Sequence, residues 1–199
     1  DVVRATGGNN ETRLLLVTTF ATQAVSQAIN DVAIPDDDYV AFSIHAYTPY
    51  AFTYHSGETW ELYNWDGTRI SEIEGVFSGL KSAFLDKGIP VIITEYGAVN
   101  KFYSDEQQEE TGELVNEAEV VKWVTDYLTI AKSYGIPCVW WDNNEYISSG
   151  ELFGIFDRDN MTWFTEDVPD AIMAVYEDSG DTADSEEAAD SEESTDAAA

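Results

Sequence analysis

The sequence predicts an α/β fold of consecutive βα units, either half of an eight-stranded (β/α)8 barrel or a small open parallel sheet. Three observations predict it. Four short apolar runs alternate with longer segments of helical period, the signature of strands joined by crossover helices. The runs are rich in Val and Ile, as in strands covered on both faces. A helix stop, tight turn and strand start also recur one unit apart, as Gly88-Ile89-Pro90-Val91 and Gly135-Ile136-Pro137-Cys138. A complete barrel takes about 250 residues. The 199 here end in an acidic tail, so half a barrel is expected, its N-terminal half lying outside this sequence.

In chain order, residues 1 to 6 read as the tail of a preceding helix, and Arg13 to Phe20 (RLLLVTTF) as the first strand. Tyr39 to Tyr47 (YVAFSIHAY) is the second. The helix that follows is expected from Ser71 to Lys87. Ser71 and Glu74 form a capping box, Ile73, Phe77, Leu80 and Phe84 share one face, and Gly88 stops it. Pro90 to Tyr96 (PVIITEY) is the third strand. The next helix is expected from about Glu113 to Tyr134, burying Val120, Trp123, Val124, Tyr127 and Leu128 and stopping at Gly135. Pro137 to Asp142 (PCVWWD) is the fourth strand, and Asp167 to Val175 a final short helix. Residues 177 to 199 carry ten Asp or Glu, no Lys or Arg and no aromatic or branched aliphatic residue, and are expected to be a disordered acidic tail or linker. Two units are therefore expected, residues 1 to 176 and 177 to 199.

Composition narrows the function. With Lys+Arg 9 against Asp+Glu 39, the net charge is -30. Such a chain repels phosphate backbones and anionic lipid, so neither nucleic acid nor membrane is an expected partner. At 44% hydrophobic and 13% aromatic it is too apolar for a disordered chain. The lone Cys138 forms no internal disulfide, and His45 and His55 alone do not furnish a zinc site, so no metal or cofactor is expected. No Met start, basic n-region or apolar h-region is present, so any export signal is expected to have been lost, removed or never included.

Alternation along each strand sorts its residues by face. In the second strand Ala41, Ser43, His45 and Tyr47 are expected inward; in the third, Val91, Ile93 and Glu95; in the fourth, Val139, Trp141 and Asn143. Each strand then ends in an inward polar or aromatic group at the rim where such barrels keep their catalytic groups. Glu95 stands out, because a carboxylate closing an apolar strand costs several kcal/mol unless donors meet it or its charge is used. Its alternative is a structural acid capping the next turn; for His45 it is a satisfied core imidazole, for Tyr47 and Trp141 packing. A carboxylate, a phenol, an imidazole and an indole in one cleft suit glycoside hydrolysis, with Tyr47 holding Glu95 ionised and aromatic faces stacking on sugar. The loops add Tyr50, Phe52, Tyr54, Trp60 and Trp65, as sugar platforms or as staples on the barrel top.

The stretches RATGGNNETR (4 to 13), SIHAYTPYAFT (43 to 53), GIPVIITEYGAVNK (88 to 101), GIPCVWWDNN (135 to 144) and ELFGIFDRDNMTW (151 to 163) resemble the retaining endo-β-1,4-glucanases of glycoside hydrolase family 5. The resemblance implies strands five to eight of a TIM barrel, a secreted protein, and a β-glucan substrate. It implies that Glu95 is the nucleophile, that His45 and Tyr47 bind sugar and orient it, and that Trp141 is a stacking platform. Asn143 matches a motif position and is expected among the substrate-binding residues, with no more specific role assigned. The family's general acid/base is the Glu of an Asn-Glu-Pro motif, which does not occur in this sequence. It is expected upstream, and Asp142 and Glu145 are not expected to replace it. Alone, the chain is then expected to be inactive and, with the first and fourth strands as unpaired edges, to self-associate. The rival readings are a non-catalytic polysaccharide-binding barrel, the same scaffold acting on xyloglucan, mannan or xylan, and an α/β domain in which Glu95 is structural.

Overall fold

The computed structural model describes residues 2–54, 63–101, 116–146 and 151–177. The acidic tail beyond 177, Trp60, His55 and residues 113–115, with which the second long helix is expected to begin, lie outside them. Four parallel strands, β1 (Leu15–Gln23), β2 (Val40–His45), β3 (Val91–Tyr96) and β4 (Cys138–Trp140), stand in the order β1-β2-β3-β4. Helices α1 (Ser26–Asp31), α2 (Tyr50–Thr53), α3 (Ile70–Ala83) and α4 (Glu117–Ser133) connect them. A hairpin of β5 (Phe156–Asp157) and β6 (Thr162–Trp163) and helix α5 (Asp167–Glu177) follow. The four expected strands are all present. The short α1, α2 and the hairpin are not announced by any periodicity, being too brief to show one.

The core lies between one face of the sheet and α3 and α4. From α3 come Ile73, Phe77 and Leu80; from α4 come Val120, Trp123, Val124, Tyr127 and Leu128; the strands add Phe42, Ile44, Val91, Ile93 and Tyr96. Each such side chain contributes about 1.5–3 kcal/mol by leaving water. The α-helix α3 ends at Ala83, short of the expected Lys87, and a 3-10 turn, Leu85–Lys87, carries the chain on to Gly88; Gly88 (77°) and Gly135 (67°), which follows α4, both take positive φ, where a Cβ would strain the chain. The start of α3 differs from expectation. It begins at Ile70, with no side-chain cap, because the turn at Gly67 and Arg69 supplies the first carbonyls, to Ile70 and Glu72. Ser71 is already inside the helix.

The other face of the sheet is open. Leu16 (49%), Phe20 (81%) and Val139 (54%) are exposed there, unusually so for apolar strand residues. In β4, Trp140 packs edge-on against Tyr96 on the helix side while Trp141 takes the open side, as alternation predicts. In β3 alternation misleads. Val91 and Ile93, expected to share the inner face with Glu95, are core residues against the helices. Ile44 pairs with Ile93 but His45 pairs with Glu95, so β3 carries one extra residue, Thr94, over β2. This bulge reverses the phase and turns Glu95 to the open face, while Tyr96 returns to the core.

Candidate active site

The carboxylate of Glu95 is the point where the strand ends meet. Tyr47 donates its hydroxyl to Glu95 Oε2 at 3.0 Å, and His45 Nδ1 stands 3.1 Å from the same oxygen. Among the described residues Oε1 has no partner. A donor expected around a carboxylate in this position is thus present in Tyr47, and it and the His45 imidazole both stand at one oxygen. The side chains of Glu95 and His45 remain 25% and 32% exposed, so the cluster is reachable. Burial, and then donation to Glu95, hold the Tyr47 phenol well above its ordinary range, which keeps it a proton donor. Beneath, Ser43 Oγ and Thr94 Oγ1 share a 2.7 Å hydrogen bond that pins the bulge.

Two side chains fix the segment carrying Tyr47. Tyr127 of α4 donates to the Ala46 carbonyl and Trp123 to the Thr48 carbonyl, each at 3.0 Å. The chain after β3 ties down α2, through Val99 N–H to the Thr53 carbonyl at 2.9 Å and the Lys101 ammonium to the Phe52 carbonyl. The strand of the carboxylate and the loop of its donor are therefore one hydrogen-bonded unit.

Lys101 is only 1% exposed, with its nitrogen 4.6 Å from the Phe52 ring centroid. Burial, and then Arg69, push it down from 10.5 to about 7. Between those values the unfolded chain holds a proton that the folded chain has released, so the contribution to stability rises with pH from about 7 to 10.5 and is poorest below 7. Lys101→Met is expected to flatten this rise by about 1 kcal/mol per pH unit between pH 7.5 and 9, read by urea denaturation. An unchanged slope would contradict it.

A cavity of about 870 Å³ adjoins the cluster, lined in part by Gln23, Val25, His45, Tyr47, Tyr50 and Glu72. Its size suits a small-molecule or sugar site. It meets the cluster through His45 and Tyr47, not through Glu95. Of its lining residues Ala21 adopts positive φ (50°), as does the adjacent Thr22 (60°), an uncommon conformation outside glycine.

The remaining expected residues separate. Trp141 exposes 41% of its surface on the open face, available for stacking. Asn143 is committed to main chain: its Nδ2 donates to the Glu151 carbonyl at 2.6 Å and its Oδ1 accepts from Glu145 N–H at 3.1 Å. These bonds shape the rim loop. Asp142 pairs with Arg158 at 3.3 Å. Of the loop aromatics, Phe52 and Trp65 are core staples, at 0% and 4% exposure, whereas Tyr50 is 53% exposed beside the cavity. Burial pushes the Cys138 thiol up to about 12, so it is no nucleophile at neutral pH. Among the described residues no three His, Cys, Asp or Glu side chains gather as a cation site would require.

A parallel α/β sheet whose strand ends set a phenol and an imidazole against a reachable carboxylate, with an exposed indole on the same open face, is an arrangement that a glycoside hydrolase can use. The comparisons agree. The family model for Cellulase (glycosyl hydrolase family 5) matches residues 1–147. Endoglucanase A of Ruminococcus albus is 55% identical over 174 residues, covering 87% of this chain and 44% of that protein. A xyloglucan-specific endo-β-1,4-glucanase of the same family from a metagenomic library, solved with cellotriose, superimposes with a TM-score of 0.72 at 36% identity, over 87% of this chain and 47% of the other. A broad-specificity endoglucanase from Ruminococcus champanellensis, also with cellotriose, gives 0.71 at 37% identity, over 86% and 46%. The chain belongs to glycosyl hydrolase family 5, the cellulase family. It spans about half the length of these relatives or slightly less.

Proposed function

We propose that this chain is the nucleophile-bearing, C-terminal half of the catalytic barrel of a secreted, retaining endo-β-1,4-glucanase. Residues 1 to 176 form strands five to eight of the barrel, and 177 to 199 a tail or linker. The observation that carries the reading is the loading of Glu95 from one side: Tyr47 donates to Oε2 with His45 beside the same oxygen, and among the described residues nothing engages Oε1, the oxygen assigned to the substrate. In the first step Oε1 forms a bond to the anomeric carbon as the glycosidic C–O bond breaks, its electron pair leaving with the departing oxygen, which a general acid protonates. In the second, water deprotonated by the same group displaces Glu95 and releases the sugar. A retaining site sets its two carboxyls about 5–5.5 Å apart. The second is assigned to the Asn-Glu-Pro motif typical of the family, supplied from outside this sequence.

On this reading Trp141 stacks on a glucosyl ring at the bond-cleaving subsite, Tyr47 and His45 orient Glu95 and contact sugar hydroxyls, and Asn143 shapes the rim. The isolated chain holds one carboxylate of the pair and is inactive. Its open apolar face and the edges of β1 and β4 favour self-association. A β-1,4-glucan is the first substrate class, since the relatives above are endoglucanases and two were solved with cellotriose. The xyloglucan-specific relative supports a branched glucan as the second. The test is hydrolysis of a panel of cellulose derivative, xyloglucan, mannan and xylan by the full barrel carrying this sequence, with proton NMR of the fresh products. Glucan or xyloglucan cleavage with the β-anomer appearing first is expected. An α-anomer first, preference for mannan or xylan, or binding without cleavage would overturn the reading.

A further inference from the structure

A second carboxylate stands behind the first, on the far side of two tyrosines. Tyr54 donates its hydroxyl to Glu151 Oε1, and that bond, then burial, pushes the phenol up to about 12, so it stays a donor across the working pH range. The Tyr54 ring meets the Tyr47 ring edge-on at 5.8 Å and 82°, and both rest on Phe153, at 5.7 and 5.4 Å. Its other side is stacked on Tyr50 at 5.1 Å and 11°.

Glu151 is itself fixed before its side chain is used. Its main-chain carbonyl accepts from Asn143 Nδ2 at 2.6 Å and from Phe153 N–H at 3.0 Å. Its neighbour Leu152 accepts from Asn100 N–H at 2.9 Å, and Phe153 from Trp140 Nε1 at 3.0 Å. Gly154 lets this strand of chain lie against residue 145, because a Cβ there would meet Glu145 backbone atoms at 2.8 Å. A rigid anchor after β4 therefore holds Tyr54 by its hydroxyl.

We propose that Glu151 is a positioning residue for the nucleophile, fixing Tyr54 and through it the ring of Tyr47, whose hydroxyl donates to Glu95. The inference rests on the glycosidase reading of Glu95. Tyr47 reaches its acceptor from a loop, and its aim depends on what its ring leans against. Phe153 supplies one wall and Tyr54 the other. Glu151 turns the second wall from a ring held by packing alone into one held at both ends. It acts as a hydrogen-bond acceptor, so an amide oxygen at the same place serves nearly as well as a carboxylate.

The experiment compares Glu151→Ala, Glu151→Gln, Tyr54→Phe and the double variant Glu151→Ala/Tyr54→Phe in the full barrel carrying this sequence, with Glu95→Gln as control. Steady-state kinetics on a soluble β-1,4-glucan and thermal unfolding are read side by side. Glu151→Ala and Tyr54→Phe are each expected to lower kcat about 5–20-fold, the range set by one hydrogen bond of about 1–2 kcal/mol, with KM within about threefold. Glu151→Gln stays within about threefold of the parent, and the double variant is no slower than either single one. Unchanged kcat in both single variants, multiplicative losses in the double, or losses that track only the unfolding temperature would overturn the inference. Should Glu151→Ala unfold, Tyr54→Phe, which keeps the ring packing, carries the test with Glu151→Gln. If Glu95→Gln keeps its turnover, the glycosidase reading itself fails, whatever Glu151 does.

Discussion

Glu95→Gln in the full barrel is expected to lower kcat/KM on β-1,4-glucan by about four orders of magnitude or more, with binding of the polymer changed less than about threefold. The amide matches the carboxylate in shape, so the β3 bulge and the Ser43–Thr94 bond remain. What is lost is the charge that attacks the anomeric carbon, and an amide oxygen is too weak a nucleophile to replace it. Kinetics alongside pull-down on insoluble glucan separate the two effects. Residual turnover within tenfold of the parent would show that the structural alternative, an acid that merely closes its strand, is the better description.

Tyr47→Phe carries the next largest effect. It removes the 3.0 Å donation to Oε2 and nothing else of size, since the ring keeps its contacts with Tyr54 and Phe153. A hydrogen bond to an ionised group contributes about 1.5–3 kcal/mol, so kcat is expected to fall about 10–150-fold with little change in KM. The phenol lies far above its ordinary range in the folded chain. The loss is therefore the same throughout pH 5 to 9, a window in which Tyr47 does not titrate. A kcat equal to the parent's, or a loss confined to high pH, would contradict this role.

The sequence made the strands and the helix faces plain where the signal was long. Phe77 and Leu80 or Trp123 and Tyr127 announce a buried stripe by spacing alone, and both Gly-Ile-Pro stops reappear as helix ends at positive φ. Glu95 was legible for a different reason: a charge ending an apolar strand demands an explanation. Its neighbours were reached by alternation, which holds in β2 and β4 but fails in β3. Val, Ile and Thr suit either face of a sheet, so nothing in PVIITEY shows that Thr94 is a bulge. Aromatic loop residues were ambiguous in the same way, and Phe52 went to the core while Tyr50 went to the cavity. Lys101 and Glu151 could not be read at all. Each looks like an ordinary surface charge until the loops after β2, β3 and β4 are brought together in space.

Covalent capture tests the central claim most directly. The full barrel is incubated with 2,4-dinitrophenyl 2-deoxy-2-fluoro-β-cellobioside, whose activated leaving group needs no proton and whose fluorine slows the second step, and the digested protein is sequenced by mass spectrometry. One fluorocellobiosyl ester on Glu95 is the predicted result, its formation slowed in the Tyr47→Phe protein. An ester on any other carboxylate, or dinitrophenolate release with Glu95 unmodified, would contradict the account.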